Sequence, residues 1–215
     1  MEDLKADPTI LLSDIICLQE TFLERRPIPK IPGYELFSAG RGRGKGVAIF
    51  LKKHMLKDLE KVEKREESFA QCLKLSFPTF DVITVYRNQI CKRPHYNKQF
   101  LDMLDSLIDM GWVGSGDKRT VVTGDFNLEC WTTPPSLLTM SMGQWGLSQI
   151  VREPTTVHGN CIDHVYVPKI ETEVEYKIYY PYYANHEAIL VTLKGWKKKM
   201  TRSQTRRVLK RKGAK

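Results

Sequence analysis

The stretch Val121-Val122-Thr123-Gly124-Asp125-Phe126-Asn127 sets the expected fold of this chain. Its β-prone residues predict a buried strand, and the glycine breaks that strand just before a carboxylate and a carboxamide. A strand end of this kind can hold an acid or base and a hydrogen-bond donor rigidly at the rim of a sheet. Gly-Asp turns are common, so this stretch indicates a functional site only in combination with the polar residues at the other strand ends.

The composition indicates a globular protein. The chain has 215 residues, 41% of them hydrophobic, which is enough for the core of one large domain or two small ones. No apolar run reaches the roughly 20 residues of a membrane helix, and the charged N-terminus argues against a secretory signal. The five cysteines form no C-x-x-C pair, and their odd number favours a reduced, intracellular protein.

The net charge of +9 is concentrated at the C-terminal end. Ten of the 34 basic residues lie in residues 197–215, which hold no acidic residue, so residues 1–196 have a net charge of −1. We therefore predict a folded domain over residues 1–195 and a basic, disordered tail over residues 196–215. The tail predicts a nuclear location, and a cytoplasmic location is expected if the tail is not an import signal. It also predicts contacts with phosphate backbones, the alternative being a charge run that only aids solubility.

Apolar periodicity predicts the remaining elements. The clearest helix is expected from Asn97 to Met110, with Asn97 as its N-cap and Gly111 just after its end. A second helix is expected over residues 136–145. Strands outnumber helices and favour a two-layered α+β sandwich with one active rim. The other predicted strands are residues 14–20, 47–51, 71–77, 81–86, 161–167 and 188–193. Strands 71–77 and 81–86 are expected to form a hairpin.

Four polar clusters lie at the ends of predicted strands. Each cluster alone has a structural explanation, such as a solvated acid at a strand end or a histidine satisfied in the core. Their combination and order, however, suit the hydrolysis of a phosphodiester. The clusters are Glu20, Tyr86-Arg87-Asn88, Asp125 with Asn127, and Asp163 with Asn185-His186-Glu187.

The residue types in these clusters divide the chemistry among them. Glu20 can hold Mg²⁺ (or Mn²⁺), which neutralises charge developing on a phosphate. His186, oriented by Asp163, can pair with phosphate or help to activate water. Asp125 can exchange a proton with the nucleophile or the leaving oxygen.

Further polar residues are candidates for holding the substrate. Tyr86 and Asn127 can donate hydrogen bonds to phosphate oxygens in the transition state. Four basic residues, three of them in a glycine-rich turn, are candidate nucleic-acid contacts: Arg41, Arg43, Lys45 and Arg87.

These motifs resemble those of the endonuclease/exonuclease/phosphatase superfamily, in particular the apurinic-like endonuclease domains of retroelements and related mobile DNA. The resemblance implies a four-layered α/β sandwich of the DNase I-like type, a divalent metal on Glu20, and hydrolysis of phosphodiester or phosphomonoester bonds. It extends over about residues 10–195, and the matching segments are 15–21, the glycine-rich turn into 46–49, 124–127, 162–165 and 185–189.

Two features depart from the family pattern. Members begin with a strand that carries a metal-site asparagine and continue into a helix, whereas 13 residues precede Asp14 here. We therefore expect that the first strand is missing and that the sequence is N-terminally incomplete. Near its end the family has Asp-His where this chain has Asn185-His186. Asn185 is still a candidate metal residue, but it removes a negative charge from the metal and histidine environment.

Three hypotheses remain open. The first is a Mg²⁺-dependent DNA endonuclease of a mobile element. Its expected partner is DNA, with no membrane and no obligate protein partner, and it can be part of a longer polyprotein. The second keeps the fold but acts on RNA ends or phospholipid head groups, because loops around the rim decide the substrate. The third is a catalytically inactive nucleic-acid-binding remnant.

Overall fold

A computed structural model of the chain describes residues 2–21, 30–40, 46–108, 118–169 and 173–194. Within these ranges the α-helices are α1 (Glu2–Ala6), α2 (Pro94–Leu107) and α3 (Leu137–Gln144). Short 3-10 helices lie at Ile10–Leu12, Lys53–Asp58 and Gln89–Lys92. The strands are β1 (Ile15–Gln19), β2 (Tyr34–Ala39), β3 (Val47–Lys52), β4 (Lys61–Glu66), β5 (Ala70–Ser76), β6 (Phe80–Arg87), β7 (Arg119–Asp125), β8 (Leu147–Gln149), β9 (Asp163–Pro168), β10 (Val174–Tyr179) and β11 (Ala188–Leu193).

The described strands form two main sheets and a separate hairpin. The first sheet is antiparallel with the order β1-β3-β2, and β10 pairs with β11. The second sheet has the order β4-β5-β6-β7-β9-β8. Its strands are antiparallel except for β6 and β7, which run in the same direction. The carboxyl ends of β6 and β7 therefore lie at the same edge of the sheet.

Separate apolar clusters divide the molecule into four layers. Leu4 and Ile10 cover the outer face of the first sheet. Between the two main sheets, Ile49 packs with Leu73 and Leu75. Helices α2 and α3 cover the outer face of the second sheet, and the β10–β11 hairpin packs on β7 and β9 from the opposite side. The fold is thus an α+β sandwich in which each sheet is buried on both faces, as the resemblance predicts.

Most sequence-predicted elements are confirmed, with one shift. The hairpin of β5 and β6, helix α3 and every predicted strand are present. Helix α2 begins at Pro94 rather than Asn97, because proline at the first helical position costs no hydrogen bond and has a helical φ. The prediction of Asn97 as N-cap is wrong. Gly111 lies outside the described residues.

The N-terminal segment forms helix α1 and a 3-10 turn ahead of β1. Among the described residues, no strand lies before β1. All five cysteines are free thiols. None of the helices in the described part of the chain is both long and apolar enough to cross a membrane.

Candidate active site

Three neighbouring strands of the second sheet bring the central polar residues together. The parallel register of β6 and β7 places Tyr86 beside Asp125, and the antiparallel register of β7 and β9 places Asp125 beside Asp163. All three side chains are therefore held on adjacent strands at one edge, which we call the active rim. The sequence predicted these residues, and the strand order of the sheet determines which of them are neighbours.

Gly124 allows β7 to lie this close to β6. Its φ is +141°, and a Cβ built on it would lie 1.9 Å from the carbonyl oxygen of Val85. Any side chain there would collide with the backbone of the neighbouring strand. The glycine ahead of Asp125 is thus required by strand packing at the active rim.

Glu20 joins the active rim from the first sheet. Tyr86 Oη donates a 2.7 Å hydrogen bond to Glu20 Oε1, and Gln19 Nε2 donates to Thr84 Oγ1 at 2.8 Å. Burial, followed by the hydrogen bond to Glu20, raises the pKa of Tyr86, so its hydroxyl remains a donor at neutral pH. These two bonds connect the two main sheets.

Backbone strain is concentrated at the site. Glu20 (φ +49°) and Asn127 (φ +47°) are the non-glycine residues with positive φ in the described part of the chain. A side chain in the left-handed region costs on the order of 1–2 kcal/mol, and such costs cluster where function requires a geometry. Both residues belong to the set that the sequence predicted.

Asn127 fixes the carboxylate of Asp125. Its backbone N–H donates to Asp125 Oδ1 at 2.8 Å, and its Nδ2 donates to Asp125 Oδ2 at 3.3 Å and to the carbonyl oxygen of Arg87 at 2.9 Å. The Asn127 amide N–H groups are thus engaged within the protein. The structure gives Asn127 a positioning role, whereas the sequence suggested a donor to phosphate.

His186 is oriented by Asp163, as predicted. The distances from His186 Nδ1 to Asp163 Oδ2 and Oδ1 are 2.9 and 3.1 Å. This hydrogen bond raises the pKa of His186 to about 9, so the imidazole is protonated at neutral pH. No described residue bonds to its Nε2, which leaves that N–H free to donate to a phosphate oxygen.

The pKa of Asp125 is also raised, which for a carboxyl group favours the neutral form. Burial, and next the charge of Asp163, raise the pKa of Asp125 to about 7, while the hydrogen bond from the Asn127 N–H acts in the other direction. A carboxyl group with this pKa can take up or release a proton near neutral pH. The active rim therefore contains a histidine held charged beside a carboxyl group poised between its two forms.

The active rim can also hold a metal ion. Asp125 and Asp163 each offer a carboxylate oxygen, and these oxygens lie within 4.8 Å of each other and of a ring nitrogen of His186. Because the imidazole is protonated beside Asp163, the oxygens are the candidate metal ligands. Glu20 adds another carboxylate whose charge acts on both Asp125 and His186. Carboxylate oxygens are the ligands that hard divalent cations prefer, and a cation would relieve the repulsion among them. The donor set therefore fits a divalent metal.

Asn185 lies beside this set on the loop between β10 and β11. It is exposed, and its carbonyl oxygen accepts a 3.4 Å hydrogen bond from the backbone N–H of Val157. Its carboxamide has no hydrogen-bond partner among the described residues. The position is compatible with the predicted metal role and leaves that role a prediction.

Arg87 is not at the surface, and its predicted contact with nucleic acid is wrong. The side chain is 2% exposed. Its guanidinium donates to the carbonyl oxygens of Phe126 (3.2 Å) and Cys91 (2.9 Å) and to Asn97 Oδ1 (3.2 Å). Successive residues of a strand point to opposite faces, so when Tyr86 faces Glu20, Arg87 faces helix α2. Arg87 supports the loop after β7 from behind.

The other predicted nucleic-acid contacts cannot be placed. Arg41, Arg43 and Lys45 lie outside the described residues, and so does the basic tail.

One residue with a clear role at the site was missed by sequence reasoning. Thr155 is fully buried, and its Oγ1 accepts hydrogen bonds from the backbone N–H groups of Ile162 (3.2 Å) and Asp163 (3.1 Å). Thr155 thereby fixes the start of β9, which carries the partner of His186. A threonine in a polar loop gives no sequence signal for this role.

Comparisons with known proteins identify a matching family. The sequence model of the Endonuclease/Exonuclease/phosphatase family matches residues 3–184. No curated protein matches the chain by sequence.

Solved structures of low sequence identity share the fold. The endonuclease domain of TRAS1, a telomere-specific non-LTR retrotransposon, is 14% identical with a TM-score of 0.61, covering 91% of this chain and 93% of that chain. An AP endonuclease from Archaeoglobus fulgidus is 18% identical with a TM-score of 0.61, covering 89% and 91%. A 3′ phosphatase from Neisseria, bound to a product DNA hairpin, is 15% identical with a TM-score of 0.64, covering 90% and 92%. These likenesses confirm the DNase I-like fold.

Proposed function

The chain belongs to the endonuclease/exonuclease/phosphatase family of hydrolases, and on that premise we propose that it is a Mg²⁺-dependent endonuclease that nicks DNA. The observation that carries this proposal is the continuous register of Tyr86, Asp125 and Asp163, with Glu20 and His186 bonded to its two ends. This arrangement provides an acid/base group, a charged imidazole and a metal-binding carboxylate within one site.

The chain's own residues have separate roles in hydrolysis. His186, protonated and held by Asp163, donates from Nε2 to a phosphate oxygen and stabilises the charge that develops there. Asp125 accepts or returns a proton at the attacking or leaving oxygen, which its pKa of about 7 allows. Tyr86 keeps Glu20 in place, and Asn127 keeps Asp125 in place.

A divalent metal fits the carboxylates of this site. Glu20 would hold it together with the neighbouring carboxylate oxygens of Asp125 or Asp163, and the Asn185 carboxamide can add an oxygen. When bound, the metal supplies Lewis-acid stabilisation of negative charge on phosphate. Mg²⁺ or Mn²⁺ is the expected ion because the donor set consists of oxygens.

DNA is the proposed substrate on two grounds. Structures of similar fold include an AP endonuclease and a 3′ phosphatase bound to a DNA hairpin. The ten basic residues of the tail suit a phosphate backbone and would make binding weaken steeply as salt rises. The mobile-element origin is supported by the likeness to a retrotransposon endonuclease domain.

The test is nicking of supercoiled plasmid by the purified chain with Mg²⁺ and with EDTA. We expect Mg²⁺-dependent conversion to open circles that is lost in His186→Ala and retained in His54→Ala. His54 is a matched control because it is exposed and follows β3 at the end far from Glu20. Equal nicking by the wild type, His186→Ala and an EDTA-treated sample would contradict the proposal.

Asn185→Asp tests whether the site is weakened by the missing carboxylate. Restoring the charge should raise the Mg²⁺-dependent rate roughly tenfold, the size of effect typical of residues around a metal site. The measurement is the initial nicking rate as a function of Mg²⁺ concentration. If Asn185→Asp leaves both the rate and the Mg²⁺ dependence unchanged, position 185 takes no part in metal binding.

A further inference from the structure

Four tyrosines with two different environments lie at the end of β10 and in the loop that delivers His186 to the site. Tyr179 is the last residue of β10, and the loop between β10 and β11 contains Tyr180, Tyr182 and Tyr183. Tyr179 and Tyr183 are anchored by their hydroxyls, whereas Tyr180 is 70% exposed and Tyr182 is 85% exposed. The exposed pair lies within six residues of the imidazole.

One buried carboxylate anchors the loop. Asp7 Oδ2 accepts hydrogen bonds from Tyr179 Oη at 3.0 Å and from Tyr183 Oη at 2.9 Å. Asp7 Oδ1 in turn accepts from the backbone N–H groups of Thr9 and Ile10. Because Asp7 is buried and its oxygens are fully engaged, it ties the loop firmly to the N-terminal segment.

The exposed ring of Tyr182 is also held in place. It makes an edge contact with the ring of Tyr183, with centroids 5.1 Å apart and planes at 86°. Its hydroxyl donates to Asp3 Oδ1 at 3.1 Å. An aromatic ring that is ordered by its neighbours and still exposed has already lost most of the conformational freedom that binding would remove. Such a ring is suited to stacking.

A second loop adds an exposed apolar side chain beside Asn185. Thr156 forms an isolated antiparallel bridge with His186, and the backbone N–H of Val157 donates to the Asn185 carbonyl at 3.4 Å. Val157 is 64% exposed. Val157 therefore lies next to the Asn185-His186 backbone, and Tyr180 and Tyr182 precede His186 by six and four residues on the same loop.

We propose that Tyr180, Tyr182 and Val157 form a stacking surface for unpaired nucleobases next to the scissile phosphate. The inference rests on the proposed function and names its substrate class as nucleic acid with unpaired bases at the cleavage point. Residues 1–196 have a net charge of −1, so the folded domain does not offer general attraction for phosphates. Stacking on aromatic rings supplies affinity that does not require such charge.

The test compares two single-stranded oligodeoxynucleotides, one with normal bases and one with abasic tetrahydrofuran residues throughout. The full chain is assayed at elevated salt, which screens contacts of the basic tail. The wild type should show a KM roughly tenfold lower for the oligonucleotide with bases, since stacking is worth that much per base. Tyr182→Ala should bring the two KM values together.

Two further variants separate stacking from structure. Tyr182→Phe keeps the ring and loses only the hydroxyl bond to Asp3, so it should retain the difference between the oligonucleotides. Leu12→Ala removes an equally exposed apolar side chain that precedes β1, at the end far from Glu20, and it should also retain the difference. A Tyr182→Ala enzyme with the wild-type ratio of KM values would overturn the inference while leaving the nuclease assignment intact.

Binding without turnover distinguishes the two claims. In EDTA, fluorescence anisotropy of labelled oligothymidylate should show roughly tenfold weaker binding by Tyr182→Ala than by the wild type. Equal binding refutes the stacking surface even if no hydrolysis is ever seen. The same variants are tested with phosphatidylserine vesicles. If Tyr182→Ala loses vesicle binding and keeps oligonucleotide binding, the surface is a lipid contact and the inference is wrong.

Discussion

At the scale of single residues, the ion pair of His186 and Asp163 decides the charge at the centre of the site. Its distance of 2.9 Å and the raised pKa of His186 mean that the folded protein favours the imidazolium. A histidine whose folded pKa is about 9, against an ordinary 6.5, adds stability that is complete below pH 6.5. That contribution is lost as the pH rises through 9.

We predict that Asp163→Asn lowers the pKa of His186 in the metal-free protein from about 9 towards or below 6.5. The amide accepts a weaker hydrogen bond and carries no charge, while the partial burial of the imidazole still favours its neutral form. The measurement is an NMR titration of the imidazole protons in EDTA, assigned with a His186→Gln spectrum. A pKa that stays near 9 in Asp163→Asn would show that another group holds the proton.

The residue types of the site could be predicted because chemistry restricts them. Acids, amides and a histidine at successive strand ends indicate a phosphodiester site, and Glu20, Asp125, Asp163 and His186 do lie together. The burial of Arg87 was missed, although strand alternation already opposes its exposure once Tyr86 faces the site. The role of Thr155 could not be predicted, because it depends on how the loop that contains Thr155 packs against the start of β9.

At the scale of elements, the parallel pairing of β6 and β7 positions the site. A parallel pair places its carboxyl ends side by side, so Tyr86 and Asp125 become neighbours although they are 39 positions apart in the sequence. Sequence patterns predicted both strands and the helix between them, and such a crossover permits parallel pairing. Which strands become neighbours was not predicted, because that depends on the packing of the whole sheet. The start of α2 was also misjudged, because Pro94 is favourable where a helix begins.

Gly124→Ala tests the close approach of these strands. The added methyl would meet the Val85 carbonyl oxygen at 1.9 Å, and φ is positive, so the backbone of β6 or β7 must shift. We expect a loss of about 3 kcal/mol in the free energy of unfolding, the sum of the conformational and the overpacking costs. The measurement is urea denaturation followed by circular dichroism.

Gly159→Ala is the matched control for this substitution. Gly159 also has positive φ (+82°), but nothing lies within 4 Å of its added Cβ. It should lose only the conformational part, about 1 kcal/mol. Equal losses in the two variants would mean that the contact with Val85 does not limit the strand spacing.

At the scale of the whole molecule, the site depends on the relative position of both sheets and the hairpin. Glu20 comes from the first sheet, Asp125 and Asp163 from the second, and His186 from the turn into β11. The four-layered arrangement goes with the nearly continuous burial of central strands such as β3, β5 and β6, which are covered on both faces. The family resemblance made this arrangement predictable, whereas periodicity alone indicated two layers.

Burial of the Asp125 carboxylate lowers the stability of the folded protein. Its pKa is raised from 3.8 to about 7, so ionisation is disfavoured in the folded state, and this group removes stability as the pH rises between these values. Asp125→Asn keeps the shape of the side chain, has no charge to bury and retains an oxygen for the 2.8 Å bond from the Asn127 backbone N–H. It loses only the longer bond from Asn127 Nδ2. In EDTA it should therefore melt at a higher temperature than the wild type at about pH 8, by a larger margin than at about pH 5.

The most direct test of the account is the plasmid-nicking rate of Asp125→Asn at about pH 8 with Mg²⁺, measured beside its melting temperature. If the active rim is a phosphodiesterase site, the rate should fall by at least about a hundredfold while the protein melts no lower than the wild type. A well-folded Asp125→Asn protein that nicks plasmid at the wild-type rate would contradict the account.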